Sequence, residues 1–546
     1  MYYFPCMARR LPMALALVTA MLLIGCRRQA AAPQSSKSTS SGLAGKDQVL
    51  PDTLLDSAIH LLQSNKRSPA AHQIAAQRLN QYLAKIHSDG QSLVQPLSVD
   101  MRTTLAARLT AQQLVDVESA QFDRGDSLHM EGCFLLRDVV KHVISESSTS
   151  LAKAEALFEW VTRNIQCVPA QESPPVYVSP PLALLVGRAM DMERAWTFME
   201  LLRQARVESV MTATMSRAGP TGPATLTPWL PAALIDGELL LFDTTIGLPI
   251  PGPGGKGIAT LRQVLEDPNL VIALDLDAER RYRVRPEQLA HVVLLLESTP
   301  TYWAPRMNFL QDRLSGENRA VLWSDLVAFS LRLRQATTQE LDQELWALPR
   351  LVNDEQQKPE YAEVVFGTRE QPITPLTPYQ HFTLADARML HLQGNMREAI
   401  PLYMSNRVRL DDWIAQDRNR VGIRSLAAFA SRQDPPLREV VERVTSNITK
   451  LYESVREDCT YFIGVAKYDQ HELPAAVNWL DKSYLEKHPE GRWASSSHFH
   501  LALCALAQHD DAVAIEHFTA PISSPQAYGN LLRARRLGWN PESRPE

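Results

Sequence analysis

Apolar residues recur every three to four positions through much of the chain, the spacing of a helix with one buried face. Two such runs lie before residue 131: Leu54, Leu55, Ile59 and Leu62, then Ala76, Leu79, Tyr82 and Leu83. Helices are also predicted over residues 131–145 and 151–165, and Ser148 or Ser150 could cap the second of them. The sequence therefore predicts a mainly helical chain up to about residue 165.

The pattern changes between residues 187 and 252. A helix is predicted over 187–207, where Met192, Ala195, Met199 and Leu202 share one face. Two apolar runs follow in PWLPAALIDGELLLFDTTIGLPIPG, joined by Asp236-Gly237, a two-residue turn that β-hairpins prefer. The sequence predicts a hairpin with Trp229 and Phe242 buried and Asp236-Gly237 at its tip.

Beyond residue 274 the pattern is less specific. The run LAHVVLLL, residues 289–296, fits either a buried strand or the start of a helix. Helices are predicted over 303–314 and 320–334. Residues 354–378 are polar and rich in proline, which is typical of a boundary between domains.

The C-terminal third repeats one order of small and aromatic residues. The three registers are Ala387, Gly394, Ala399 and Tyr403; Gly464, Ala476 and Leu480; and Ala502, Ala514 and Phe518. This order resembles the tetratricopeptide repeat, in which small residues let paired helices approach and an aromatic fills the remaining gap. An ordinary antiparallel helical bundle is the alternative.

The helix and hairpin of residues 187–252 occur in the order of the transglutaminase-like domain, a papain-related α+β fold that this segment resembles. The earlier segment ALFEWVTRNI, residues 156–165, also looks like the helix that precedes the nucleophile in that family. The family places a Cys at the start of the central helix, then a His and an Asp on adjacent strands. The resemblance implies an α+β domain within a mostly α-helical chain.

The family's catalytic residues are only partly matched. Aligning Ala195 with the family's buried Ala puts Asp191 at the Cys position, and Thr227 (or Pro228) at the His position, while Asp243 keeps the Asp. No His occurs between residues 144 and 290, and the only Cys there is Cys167. A thiolate needs a base or a positive neighbour to form and to be oriented, and the segment has no His to serve as that base. We therefore predict no catalytic residue. We also predict no cofactor.

Two other interpretations of these residues stay open. Asp191 and Asp243 could lie together and share a proton as acid and base, or Cys167 could act with a residue from another domain. The simpler interpretation is that Asp191 stabilises a helix N-terminus and Asp243 binds turn backbone at a strand end.

The N-terminus has the features of an export signal. Arg9 and Arg10 precede about 15 apolar residues, fewer than the roughly 20 that a membrane-spanning helix needs. The run ends in LIGC, which resembles the bacterial lipobox and makes Cys26 the lipidated N-terminus; an uncleaved short anchor is the alternative. The sequence predicts an exported, membrane-anchored lipoprotein that faces the periplasm or the cell exterior.

The composition excludes some partners and cofactors. The net charge of −5 is too small to indicate nucleic-acid binding. Apart from Cys6 and Cys26, the cysteines are widely spaced and predict buried free thiols: Cys133, Cys167, Cys459 and Cys504. His498 and His500 are two apart on a helix and cannot share a metal, so no metal site is predicted.

These features divide the chain into successive regions. In order, they are a signal peptide (1–25), a flexible tether (26–49), an N-terminal helical region (50–130), the transglutaminase-like domain (131–275), a mainly helical connection (276–353), a Pro-rich linker (354–378) and a tetratricopeptide-like domain (379–540). The expected function is a non-catalytic envelope scaffold or binding protein with a protein or peptide partner. The alternatives are an atypical transglutaminase-like hydrolase and an assembly factor acting through the repeats.

Overall fold

The computed structural model describes residues 51–63, 69–86, 93–145, 148–170, 177–217, 224–337, 340–356, 383–407 and 435–540. Helices dominate these residues and accompany a small mixed sheet, which confirms the prediction of a helix-rich α+β chain. Cys26 and the whole signal and tether, 1–49, lie outside the described residues. No described helix is both long and apolar enough to cross a bilayer.

Nineteen α-helices are described. In chain order they are α1 (Pro51–Gln63), α2 (Pro69–Ile86), α3 (Val99–Ala106), α4 (Ala111–Glu118), α5 (Arg124–Val143), α6 (Ser150–Asn164), α7 (Pro180–Val186), α8 (Asp191–Gln204), α9 (Leu261–Glu266), α10 (Pro305–Gln311), α11 (Leu326–Ala336), α12 (Ala347–Gln356), α13 (Leu384–Leu392), α14 (Met396–Ser405), α15 (Pro435–Asp469), α16 (Leu473–Val477), α17 (Ala494–Ala507), α18 (Asp511–Phe518) and α19 (Ala527–Arg536). A π-helical segment, Asn478–Leu485, continues α16.

The four helices predicted before residue 166 are present as α1, α2, α5 and α6. Helix α5 starts earlier than expected because Asp123 caps it, accepting a hydrogen bond from Asp126 N at 2.9 Å. The predicted cap of α6 was wrong: Thr149 Oγ1, and neither Ser148 nor Ser150, accepts from Ala152 N.

The main sheet has six strands in the order β6-β5-β4-β3-β7-β8. The strands are β3 (Glu208–Arg217), β4 (Ala224–Ile235), β5 (Glu238–Asp243), β6 (Leu248–Pro249), β7 (Val292–Leu296) and β8 (Gln343–Leu345). Neighbouring strands are antiparallel except β7 and β8. A separate parallel pair joins β1 (Gln166–Cys167) to β2 (Arg188–Ala189).

The predicted hairpin is confirmed as β4 and β5. Asp236 and Gly237 connect the strands with φ values of 51° and 80°, and two positive φ values are what a type I′ turn requires. Trp229 and Phe242 are buried, at 1% and 0% exposure. The predicted burial of both side chains is therefore confirmed, although β4 is buried on both faces from Trp229 to Ala233.

The region after residue 274 differs from the sequence prediction at several points. The ambiguous run 289–296 divides between two elements: its first two residues end a 3₁₀ turn, Pro286–Ala290, and Val292–Leu296 form β7. Strand β7 is buried along its whole length. The helix predicted over 303–314 is shorter, α10, and is preceded by a second 3₁₀ turn, Pro300–Trp303.

Two further boundaries in this region were misplaced. Helix α11 starts only at Leu326, because Asp325 caps it through Ala328 N at 3.0 Å. The predicted Pro-rich linker, 354–378, overlaps α12, which continues to Gln356; the rest of that linker lies outside the described residues.

The C-terminal third contains three successive helix pairs, α13 with α14, α15 with α16 and its π-helical continuation, and α17 with α18. The residues of the three sequence registers are buried: Ala387, Ala399, Tyr403, Ala476, Leu480, Ala502, Ala514 and Phe518. A Cβ at Gly464 would lie 2.6 Å from Leu480 Cδ2, so the second pair packs too closely for any larger residue there.

Contacts divide the chain into two compact units. One unit contains residues 49–407 and 455–546, and the apolar cluster that runs from Leu55 in α1 to Leu532 in α19 is one of several within it. Of the other unit, 1–48 and 408–454, only the helical stretch 435–454 is described.

Candidate functional site at the start of the central helix

Helix α8 begins at Asp191, the residue that stands where the resemblance places a nucleophilic Cys. Asp191 is half-buried, and its Oδ1 accepts a hydrogen bond from Met192 N at 2.8 Å. Glu193, fully buried, accepts from Met190 N at 2.7 Å and from Val178 N at 2.6 Å. Carboxylates in the first turn stabilise the free N–H groups and the helix dipole, so the local contacts of Asp191 are those of a helix-start residue.

Asp243 ends β5 and is completely buried. Its Oδ1 accepts hydrogen bonds from Thr245 N at 2.9 Å and Ile246 N at 3.4 Å, as a carboxylate that stabilises a turn does. The same oxygen accepts from Arg283 Nη2 at 3.1 Å, and Oδ2 accepts from the Tyr282 hydroxyl at 2.6 Å. Both oxygens are therefore engaged by groups of this chain.

The hydroxyl of Tyr282 links Asp243 to the strand that carries Trp229. Trp229 Nε1 donates to the Tyr282 hydroxyl at 2.9 Å, and Arg283 Nη2 donates to the carbonyl oxygen of Trp229 at 2.5 Å. Burial, followed by the charge of Asp243, raises the pKa of Tyr282 well above its usual value, so the phenol keeps its proton and can donate. The network joins β4, β5 and the segment before β7.

Arg283 is the cation that hydrogen-bonds Asp243. Burial alone would lower its pKa, but the negative charge of Asp243 raises it above the usual value, and Asp191 adds to the effect. An arginine beside carboxylates stabilises their charged forms, whereas a dyad that shares a proton needs one carboxyl group to stay neutral. The arrangement does not favour the acid–base dyad that the sequence left open.

The structure brings Cys167 to this site through the β1–β2 pair, whose second strand ends just before α8. Cys167 is buried, at 1% exposure, and burial raises the pKa of its thiol to about 11, although the charge of Arg194 opposes the rise. Arg194 is itself fully buried and donates to the side chain of Gln526 and to the carbonyl oxygen of Thr162. The thiol is therefore protonated at neutral pH.

Thr227 lies on β4, where it pairs with Thr214 of β3, and its side chain is exposed. Among the described residues, no hydrogen bond joins Thr227 to Asp191 or Asp243, and no imidazole contacts either carboxylate. The three positions that the resemblance aligns with a Cys, a His and an Asp thus have separate local contacts.

The histidines of the repeat region do not form a metal site. His498 Nδ1 lies 3.0 Å from His517 Nδ1, whereas His500 donates from Nδ1 to the carbonyl oxygen of Ser496 at 2.9 Å. Within the described ranges, no group of three His, Cys, Asp or Glu side chains could hold a metal ion. All four cysteines from Cys133 to Cys504 are free and buried, as the sequence predicts.

Tyr282 and Arg283 are the site residues that the sequence did not indicate. They occur in the polar stretch DAERRYRVR, residues 277–285, which has neither the helical nor the strand period. Their contacts with Asp243 depend on how the chain returns to the sheet after α9, and no local pattern encodes that return.

Comparisons of this chain with protein-family models, with curated proteins and with solved structures found no match.

Proposed function

We propose that this chain is a non-catalytic, membrane-anchored scaffold or binding protein of the cell envelope. In this proposal an inactive transglutaminase-like domain and a set of tetratricopeptide-like repeats bind a protein or peptide partner. Lipidation at Cys26 holds the protein at the membrane.

The observation that supports this proposal most is the state of Asp243. A catalytic Asp of a Cys–His–Asp set orients an imidazole, but here Tyr282, Arg283 and backbone N–H groups use both carboxylate oxygens. The nearby thiol, Cys167, is buried and its pKa is raised to about 11. Acyl transfer needs a nucleophile within hydrogen-bond reach of a base, roughly 3 Å.

The helix pairs support the binding part of the proposal. Helical repeats that stack in this way offer an extended face to a partner, and the small residues that allow the stacking are buried at each of the three pairs. The alternative function, an assembly factor that binds its partners through the repeats alone, is supported by the same helix pairs.

An activity assay distinguishes the binding protein from the atypical hydrolase. We expect the purified wild-type protein to show no amidase, peptidase or crosslinking activity. The variant Asp191→Cys should also be inactive, because position 227 still lacks a base. Turnover by the wild type that disappears in Cys167→Ala or Asp191→Ala, but persists in the control Cys504→Ala, would establish the enzyme instead.

The binding function is tested by crosslinking in cells followed by affinity purification. We expect a defined protein or peptide partner to be recovered with the full-length chain and to be lost in Gly464→Leu, which breaks the packing of the second helix pair. Retention of the partner by that variant would place binding outside the repeats and favour the cleft of the transglutaminase-like domain.

A further inference from the structure

A polar cleft of about 280 Å³ opens beside helix α5. Helix α5 contributes Arg137, Asp138 and Lys141, a 3₁₀ turn contributes Glu317, and the turn between α13 and α14 contributes Gln393 and Asn395. The cleft shares no residue with the site around Asp243, so an inference about it does not depend on whether that site is catalytic.

Arg137 has one donor to spare. Its side chain is 8% exposed, and Nε and Nη2 both donate to Asp138 Oδ1, at 2.8 and 2.6 Å. The remaining nitrogen, Nη1, is buried and has no hydrogen-bond partner among the described residues. A buried donor without an acceptor is unfavourable, so an acceptor supplied by a ligand would stabilise this arginine.

Lys141 and Glu317 show what kind of group the cleft accepts. Lys141 Nζ donates to Glu317 Oε2 at 2.6 Å, and this hydrogen bond lowers the pKa of Glu317, with the charge of Arg137 adding to the effect. The carboxylate of Glu317 thus lies where the fields of two cations meet. The glutamate side chain is 94% exposed, and such surface ion pairs contribute little stability, so another carboxylate can replace it.

The turn that carries Gln393 and Asn395 is fixed against α5. Gly394 lies between them with φ 83°, and a Cβ there would be 2.5 Å from His142 Nδ1. Gln393 Nε2 donates to Asp138 Oδ2 at 3.2 Å, which orients its amide at the cleft. The cleft therefore has two cations on α5 and two side-chain amides on the turn between α13 and α14, and the contacts of this turn with α5 fix the distance between them.

We propose that this cleft binds the terminal carboxylate of a peptide, with Arg137 and Lys141 as donors to the carboxylate and with Gln393 and Asn395 facing the peptide amides. The cleft has two acidic and two basic side chains, Asp138 and Glu317 with Arg137 and Lys141. This balance of charge disfavours a multiply charged anion such as phosphate. The volume lies just below the usual range of ligand sites, roughly 300–1,000 Å³, and suits about one or two terminal residues.

Calorimetric titration of the full chain with the tripeptide Ala-Ala-Ala, and with its C-terminal amide, tests the proposal. We expect the free acid to bind at least about tenfold more tightly than the amide, since only the acid forms charge-assisted hydrogen bonds. Lys141→Met should weaken binding of the acid by about tenfold, while Lys153→Met, on α6 and outside the cleft, should leave it unchanged.

The variant Glu317→Gln should raise the affinity of the cleft for the free acid, a change that a purely structural role of Glu317 would not produce. Removing the competing carboxylate should tighten binding of the acid by up to about fivefold, the factor for a surface ion pair of about 1 kcal/mol. Both variants change exposed side chains and should fold. Equal binding of acid and amide, an unchanged affinity in Glu317→Gln, or tighter binding of inorganic phosphate than of the peptide would each overturn the proposal.

Discussion

At the scale of single residues, the hydroxyl of Tyr282 is a buried polar group that joins Asp243 to Trp229 through two hydrogen bonds. We expect Tyr282→Phe to lower the free energy of unfolding by about 1–3 kcal/mol, because it leaves Asp243 Oδ2 and Trp229 Nε1 without this partner. Urea denaturation measures the change. The control Tyr528→Phe should have a smaller effect, since its hydroxyl bonds backbone oxygens in a partly exposed position; equal losses would contradict the network.

A buried imidazole gives a prediction on pH. Burial lowers the pKa of His500 to about 4, whereas an unfolded His titrates near 6.5. The unfolded state therefore binds more protons between these values, and stability is lost as the pH falls from about 6.5 to 4, with a slope of up to about 1.4 kcal/mol per pH unit. His500→Gln should reduce this slope by up to about 1.4 kcal/mol per pH unit, the equivalent of one bound proton. Denaturation curves taken across that pH window measure the slope. An unchanged slope would show that His500 does not contribute.

Side-chain burial was more predictable than side-chain partnership. Trp229, Phe242 and Ala387 were placed correctly because each lies in a local run or repeat of apolar residues. The partners of Asp243 were missed because Tyr282 and Arg283 come from a segment without a period. The cap at Thr149 was missed for a simpler reason, since three adjacent hydroxyl residues have almost the same local propensity.

At the scale of elements, helix α19 is held to the loop after β5 by an unusually close approach. A Cβ at Gly529 would lie 1.8 Å from the carbonyl oxygen of Ile246. Gly→Ala in a helix normally stabilises by about 1 kcal/mol, but here the clash should outweigh it, and we expect Gly529→Ala to lose about 1–3 kcal/mol. A higher midpoint of thermal unfolding in this variant would contradict the contact.

Elements with a strong local signal were predicted and those defined by tertiary contacts were not. The hairpin β4–β5 consists of two apolar runs joined by an Asp-Gly turn, so type, position and tip were all correct. Strand β7 stayed ambiguous because a short run of uniformly apolar residues has no period. Strand β8 was not predicted, since its three residues form a strand only by pairing with β7.

At the scale of the whole molecule, the proposed membrane anchoring depends on Cys26. We expect Cys26→Ala to release the protein from the membrane fraction or to leave an unprocessed precursor, because the thiol to be lipidated is gone. Cell fractionation with immunoblotting reads out both results, and Cys504→Ala serves as the control that keeps its anchor. Normal processing and membrane association of Cys26→Ala would favour the uncleaved anchor.

The order of helix pairs and hairpin could be predicted because each arises from a local pattern. The way these regions share a core could not. Leu55, Leu230 and Leu532 belong to one apolar cluster although they fall in three predicted regions. A sequence pattern shows which face of an element is buried, but not which distant element covers it.

The placement of Leu532 in the same core as Leu55 has a consequence for biosynthesis. Translation delivers α1 long before α19, so the growing polypeptide cannot complete this core until its last helix arrives. Contacts between such distant parts form slowly, and incompletely folded intermediates aggregate readily. Production of this protein should therefore depend on holding chaperones, and a premature stop codon ahead of Ala527 should yield an insoluble product in place of a shorter functional one.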